Sequence, residues 1–143
     1  MSILVGTCSA DLAPDCVRGV GVRVWPGACQ LTVLVPVAVA ATAIANLREN
    51  PNIAITQSHI PTYRTIQIKG TVREIRDGSD DDHRYATSYR DRFARDLAWA
   101  GLGRGHRLGV RPVHAIDVEI AVVFSQTPGP VAGVKMPVPE GQR

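Results

Sequence analysis

Short runs in which apolar and polar residues alternate, separated by turn residues, recur along this chain, and two longer stretches carry apolar residues at helical spacing instead. Ile3 to Ser9 predicts a first strand, closed by a turn rich in Asp and Pro at Ser9-Ala10-Asp11-Leu12-Ala13-Pro14-Asp15. Val17 to Trp25 predicts a second, with Val20, Val22 and Val24 on one face and Gly19, Gly21 and Arg23 on the other. Arg18 falls at the leading end of the apolar face, where a charge needs a partner. The two glycines suit either close approach of another backbone or a flat ligand, or an edge strand with two bulges. After the turn at Trp25-Pro26-Gly27-Ala28, Gln30 to Val35 predicts a third strand. Val37 to Glu49 then predicts a helix, with Ala40, Ile44 and Leu47 as a narrow apolar stripe. Pro51 stops that helix.

Ile53 to Ser58 and Ile66 to Val72 predict an antiparallel pair, with Ile66, Ile68, Gly70 and Val72 on one face and Gln67, Lys69, Thr71 and Arg73 on the other. Asp77-Gly78-Ser79 makes a turn, and Ser79 or Asp80 caps a second helix that opens on three acidic residues. Tyr85, Tyr89, Phe93 and Leu97 form its buried stripe, Asp91 and Arg95 pair one turn apart, and Gly101, Gly103 and Gly105 end it. Val113 to Phe124 predicts a last strand, broken by Thr127-Pro128-Gly129-Pro130. Six strands and two helices, grouped rather than alternating, predict an α+β fold: a six-stranded antiparallel split β-barrel with two flanking helices. We expect one domain over residues 1–143, in which residues 126–143 run over the surface or over a partner subunit.

Composition narrows the classes. At 143 residues, 45% hydrophobic and 20% charged, the chain carries enough apolar matter for a real core. A net charge of +3 admits an anionic ligand, yet aromatics are 5% and the arginines are scattered, so no nucleic-acid partner is expected. No apolar run reaches membrane-span length and no basic-then-apolar leader is seen, which predicts a cytoplasmic protein without a membrane partner. Cys8, Cys16 and Cys29 have no metal-ligand spacing and read as reduced residues, although Cys8 and Cys16 flank a turn and fall near one another across a hairpin. His59, His83, His106 and His114 are dispersed as surface or turn residues, no metal is expected, and no nucleophile or phosphate-loop motif is present.

One order of residues is more informative. Asn46-Leu47-Arg48-Glu49-Asn50-Pro51 leading into an apolar strand, then Tyr63-Arg64-Thr65 and Ile68-Lys69-Gly70, resembles the flavin-binding split-barrel family related to pyridoxamine 5′-phosphate oxidase. The resemblance covers about residues 3 to 76, with Gln126-Thr127-Pro128-Gly129-Pro130 as a tail seen in short members. It implies a homodimer holding two flavin mononucleotides (FMN) between subunits, and oxidoreductase chemistry on a small molecule. Arg18 and Arg23 match basic positions of the second-strand motif, and Arg64 and Thr65 open the ring-side strand, with Thr65 in place of the family's glutamine. Lys69 precedes the glycine of the same strand. The family's Arg-Lys phosphate pair is replaced by Thr42 and Ala43, leaving the Thr42 hydroxyl and helix-end amides as neutral donors. That departure keeps open a second class: a split-barrel binding module for haem, a deazaflavin or another ligand, or one acting only through its dimer surface. No catalytic acid or base is assigned, Tyr63 being the nearest candidate. The carboxy-terminal tryptophan-arginine segment of the family's oxidase is missing, which argues against pyridoxamine phosphate as substrate.

Overall fold

The computed structural model describes residues 1–27, 29–103 and 107–138. Ala28, residues 104–106, among them Gly105 and His106, and the end of the tail, residues 139–143, lie outside the described residues. The elements run β1 (Ser2–Cys8), β2 (Pro14–Arg18), β3 (Gly21–Trp25), β4 (Gln30–Pro36), a 3-10 turn (Val37–Val39), α1 (Ala41–Glu49), β5 (Asn52–Ser58), β6 (Thr65–Asp77), α2 (Asp80–Trp99), β7 (Val113–Ser125) and β8 (Lys135–Met136). The strands form one antiparallel sheet in the order β2-β1-β5-β6-β7-β4-β3, with β8 added to β7. The class is α+β with two helices, and eight strands are described where six were expected.

The difference arises at two places. The stretch Val17–Trp25 is not one strand. It leaves the β1 edge at Arg18 and joins β4 at Gly21, so β2 and β3 sit at opposite ends of the strand order yet are consecutive in the chain. At the crossing, the Gly19 amide donates to the Ile3 carbonyl at 3.0 Å and the Val20 amide to the Leu34 carbonyl at 2.8 Å, which brings the two sheet ends together as a barrel. A Cβ on Gly19 would lie 2.5 Å from Ile3 Cγ2, and one on Gly21 would lie 2.9 Å from the Tyr85 ring. The glycines therefore serve close approach, but of the chain's own side chains. The second addition is β8: the tail turns back, the Gly133 amide donates to the Ser125 carbonyl and the Ser125 amide to the Val134 carbonyl, and Lys135 and Met136 pair with Phe124 and Val123.

Alternation fills the barrel. Val5, Ile55, Ile68, Leu31, Val33, Ile116 and Val118 are at most 4% exposed and meet in its interior. In β6 the register slips at Lys69/Gly70, where a Gly70 Cβ would lie 2.2 Å from the Glu119 carbonyl oxygen, so only glycine lets β7 pass. Helix α1 and its capping residue Ala40 turn the stripe of Ala40, Ile44 and Leu47 inward as expected, and the buried Asn46 side-chain NH₂ donates to Thr7 Oγ1 at 3.1 Å to fix the helix on β1. Cys16 lies opposite Gly6 and Cys8 opposite Pro14, so the two cysteines are diagonal neighbours on one face, and both are free thiols.

Helix α2 is clamped at its start. Ser79 caps it, and its hydroxyl accepts from the Asp82 amide while the Asp82 carboxylate accepts from the Ser79 amide at 3.0 Å. Asp82, 1% exposed, also accepts from Arg76 Nη1 of β6 at 2.6 Å and has Arg23 of β3 at 3.5 Å. Tyr85 donates to the Val22 carbonyl at 2.7 Å, and Tyr89 to that of Met1 at 2.8 Å. The capped helix is thus held over the β1 and β3 ends of the sheet. No helix among the described residues is long and apolar enough to cross a membrane.

Candidate functional site

The hairpin between β5 and β6 turns through His59 to Arg64. The His59 amide donates to the Arg64 carbonyl and the Tyr63 amide to the His59 carbonyl, both at 2.8 Å, and Tyr63 takes a left-handed φ of 56° to close the loop. His59 Nδ1 and Thr62 Oγ1 are 2.8 Å apart. The tail then docks on this hairpin: Thr127 Oγ1 accepts from the Thr65 amide at 3.0 Å, and the Gln126 amide donates to the Thr65 carbonyl at 2.8 Å. Between hairpin and tail lies a cavity of about 490 Å³, with His59, Thr62, Arg64, Thr65, Ser125 and Met136 among its walls. It continues through Met1, Gln57 and His59 into a second cavity of about 560 Å³ beneath α2, walled by Tyr85, Tyr89, Phe93, Arg92 and Arg95. Both volumes fall within the span of small-molecule sites, about 300–1,000 Å³.

The structure brings together two of the six residues expected at a cofactor site. Arg64 and Thr65 share the hairpin cavity. Arg64 has no carboxylate within ion-pair distance among the described residues, whereas Thr65 Oγ1 is spent on Ser58 and on the Tyr63 carbonyl, each at 3.0 Å. The others stand apart. Arg18 has found the partner its apolar position demanded: it donates to Ser2 Oγ at 3.3 Å and lies 5.4 Å over the Phe93 ring, beside a different, mainly apolar hollow. Arg23 is taken up by Asp82 and by the Tyr85 ring at 4.9 Å. Thr42 is exposed on α1, and Ala43 next to it is 1% exposed in the core. Lys69 lies 5.5 Å over Phe124 on the outer face of the sheet. Tyr63 is 73% exposed and does not line the cavity.

Sequence reasoning did not pick out His59, Thr62, Ser125 or Met136. The one signal was the tail motif at Gln126-Thr127, whose contact with Thr65 makes the far wall. Charge around the groove also departs from expectation. Asp91 pairs with Arg90 at 3.0 Å rather than with Arg95. Asp96, one turn after Arg92, is engaged by the Met1 amino group at 2.5 Å. Tyr89, on the buried face of α2, has its phenol pushed up to about 12 by burial, only partly offset by Arg18. It is therefore a permanent donor to the Met1 carbonyl rather than a proton shuttle at neutral pH. At the helix start, burial pushes the Asp82 carboxyl up, but the Arg76 hydrogen bond and the two from Ser79 outweigh it and hold the group below its usual range.

No family model and no curated protein sequence matches the chain. Solved structures do. HupZ of Group A Streptococcus is similar at a TM-score of 0.55 and 20% identity, over 92% of this chain and 90% of that one. A Clostridium acetobutylicum protein related to general stress protein 26, of the pyridoxinephosphate oxidase family, gives 0.54 at 10% identity, over 99% and 88%. An F420 reductase gives 0.52 at 17% identity, over 86% and 88%. The chain has the split-barrel fold of the pyridoxamine 5′-phosphate oxidase-like proteins.

Proposed function

We propose that this chain is a flavin-type cofactor-binding protein, with FMN the first candidate, serving an oxidoreductase reaction on a small molecule. The observation that carries the reading is the hairpin groove, where Arg64, without a carboxylate partner among the described residues, lines one cavity with the polar Thr62 and Ser125 and the apolar Ile66 and Met136. A flavin needs this pairing of an apolar slot for its ring with donors for its polar edge and tail, and these residues fit that demand. Arg64 would offer a forked pair of donors to an anionic group. When bound, the cofactor supplies the hydride or electron chemistry, while the chain holds it, orients it and excludes water.

The reading includes a second copy of the chain on the outer face of β1, β5 and β6. There Leu4 is 42% exposed beside Thr56, Gly6 and Ala54, small neighbours over which another sheet packs closely. Sedimentation equilibrium tests this part, and a monomer at micromolar concentration would remove it.

One observation favours the other class. Thr42 is exposed and Ala43 is in the core, so the first turn of α1 offers no cation to a phosphate, and Arg18 and Arg23 are engaged elsewhere. A matched fold belongs to an F420 reductase, so cofactors of flavin type other than FMN belong in the same test. Visible absorption of the purified chain after adding FMN and desalting decides. A retained flavin band that falls about tenfold in affinity for Arg64→Ala, a loss of about 1.4 kcal/mol, supports FMN at the hairpin groove. No saturable FMN binding sinks the FMN reading, and a deazaflavin titration or a Soret band on adding haem then identifies the alternative.

A further inference from the structure

The cavity beneath α2 has its own chemistry. Its wall is aromatic: Tyr89 and Phe93 are stacked with ring centroids 5.7 Å apart, 5% and 7% exposed, and Tyr85 stands one turn earlier. Its rim carries two cations and one acid held by the chain's own amino group: Arg92 lies 5.8 Å over the Tyr85 ring, Arg95 follows one turn later on the same helix, and Asp96 beside it is engaged by the Met1 amino group. Neither guanidinium has a carboxylate within ion-pair distance among the described residues. The acids that would neutralise them are spoken for, Asp96 by the Met1 amino group and Asp91 by Arg90. Elsewhere on this helix and sheet Arg73, Arg76, Arg84 and Arg90 are all paired. Two unpaired arginines above a slot of rings, in a cavity of about 560 Å³, are matched by one kind of ligand. It carries a flat apolar body against the rings and an anionic group for the forked donors.

The geometry points to the space between α2 and the ends of β1 and β5 as a binding site for a planar aromatic carboxylate, its carboxylate on Arg92 and Arg95 and its ring system against Tyr85, Tyr89 and Phe93. The wall is preformed, because the α2 capping box and the hydrogen bonds of Tyr85 to Val22 and Tyr89 to Met1 hold the helix at its distance from the sheet. The site opens into the hairpin groove through Gln57 and His59, so a ligand here lies within reach of whatever the groove holds. It does not rest on that groove taking a flavin.

The test uses the purified chain without cofactor and the fluorescence of 2-naphthoate, with uncharged 2-naphthamide alongside. Naphthoate is expected to saturate, naphthamide to bind at least about tenfold more weakly, and the double variant Arg92→Ala/Arg95→Ala to bring naphthoate down to the amide's level. Both arginines are exposed, so that variant keeps the fold. The control pair Arg84→Ala/Arg90→Ala removes the same charge from the same helix and is expected to change nothing. Three results overturn the inference: naphthoate and naphthamide binding alike, the control pair losing as much as the test pair, or no saturation. Displacement of naphthoate by an equal concentration of acetate would overturn the aromatic half.

Discussion

Asp82→Asn tests whether the α2 clamp holds as the geometry says. The carboxylate is 2% exposed and collects Arg76 Nη1 at 2.6 Å, the Ser79 amide at 3.0 Å and the Ser79 hydroxyl at 2.9 Å. An asparagine keeps one acceptor, turns its NH₂ toward other donors and leaves Arg76 without its nearest charge. Removing one partner of a buried pair costs about 3–5 kcal/mol. Arg76 is 32% exposed and retains Asp117 at 3.4 Å, so the lower end applies, about 3 kcal/mol. In urea, at a slope of about 1.5 kcal/mol/M, the midpoint should fall by about 2 M with the slope unchanged. The pH dependence adds a second check. The folded carboxyl titrates below its ordinary 3.8, so its contribution is complete above that value and is lost as pH falls through the lower folded value. The gap between wild type and variant should therefore narrow in acid. A midpoint shift under about 0.5 M at neutral pH, or a gap that persists undiminished in strong acid, would refute the clamp.

Gly70→Ala would set a methyl 2.2 Å from the Glu119 carbonyl oxygen and 2.8 Å from Val118 Cγ1; the backbone atom cannot step aside, and a loss of about 3 kcal/mol is expected in thermal melts. An unchanged melting temperature would mean that β7 does not pass there. Tyr89 keeps its proton to about pH 12 while the unfolded chain releases it from 10.0, so stability should fall as pH rises between those values. A tyrosinate absorbance titration should show one late step that Tyr89→Phe removes; a late step surviving that change contradicts the assignment. Thr127→Val deletes the hydroxyl that pins the tail on Thr65, for about 1 kcal/mol. Hydrogen exchange should then speed up at Gln126 and Gly133 and leave β5 unaffected.

Much of this architecture could be read from one dimension, because it follows local rules. Pro51 stops α1 by sterics, Ser79 caps α2 through its own third residue, and the stripe Tyr85-Tyr89-Phe93 needs only the helical period to find the core. The family resemblance was likewise carried by short ordered motifs, and the solved folds agree with it. What stayed out of reach depends on which distant residues meet. Nothing between Val17 and Trp25 announces that the chain changes sheet edge at Gly19, since that break is set by Ile3 and Leu34, met only when the sheet closes. Arg18 and Arg23 have the charge expected of phosphate ligands, yet Phe93 and Asp82 claim them from another element. Conversely, Arg95 reads in the sequence as the helical partner of Asp91, and only the folded chain, by spending Asp91 and Asp96 elsewhere, leaves Arg92 and Arg95 without a carboxylate among the described residues above a slot of rings. Periodicity and capping are properties of neighbours along the chain, so the sequence determined the elements. Pairing of charges and the shape of a groove are properties of neighbours in space, so those were decided by the tertiary structure.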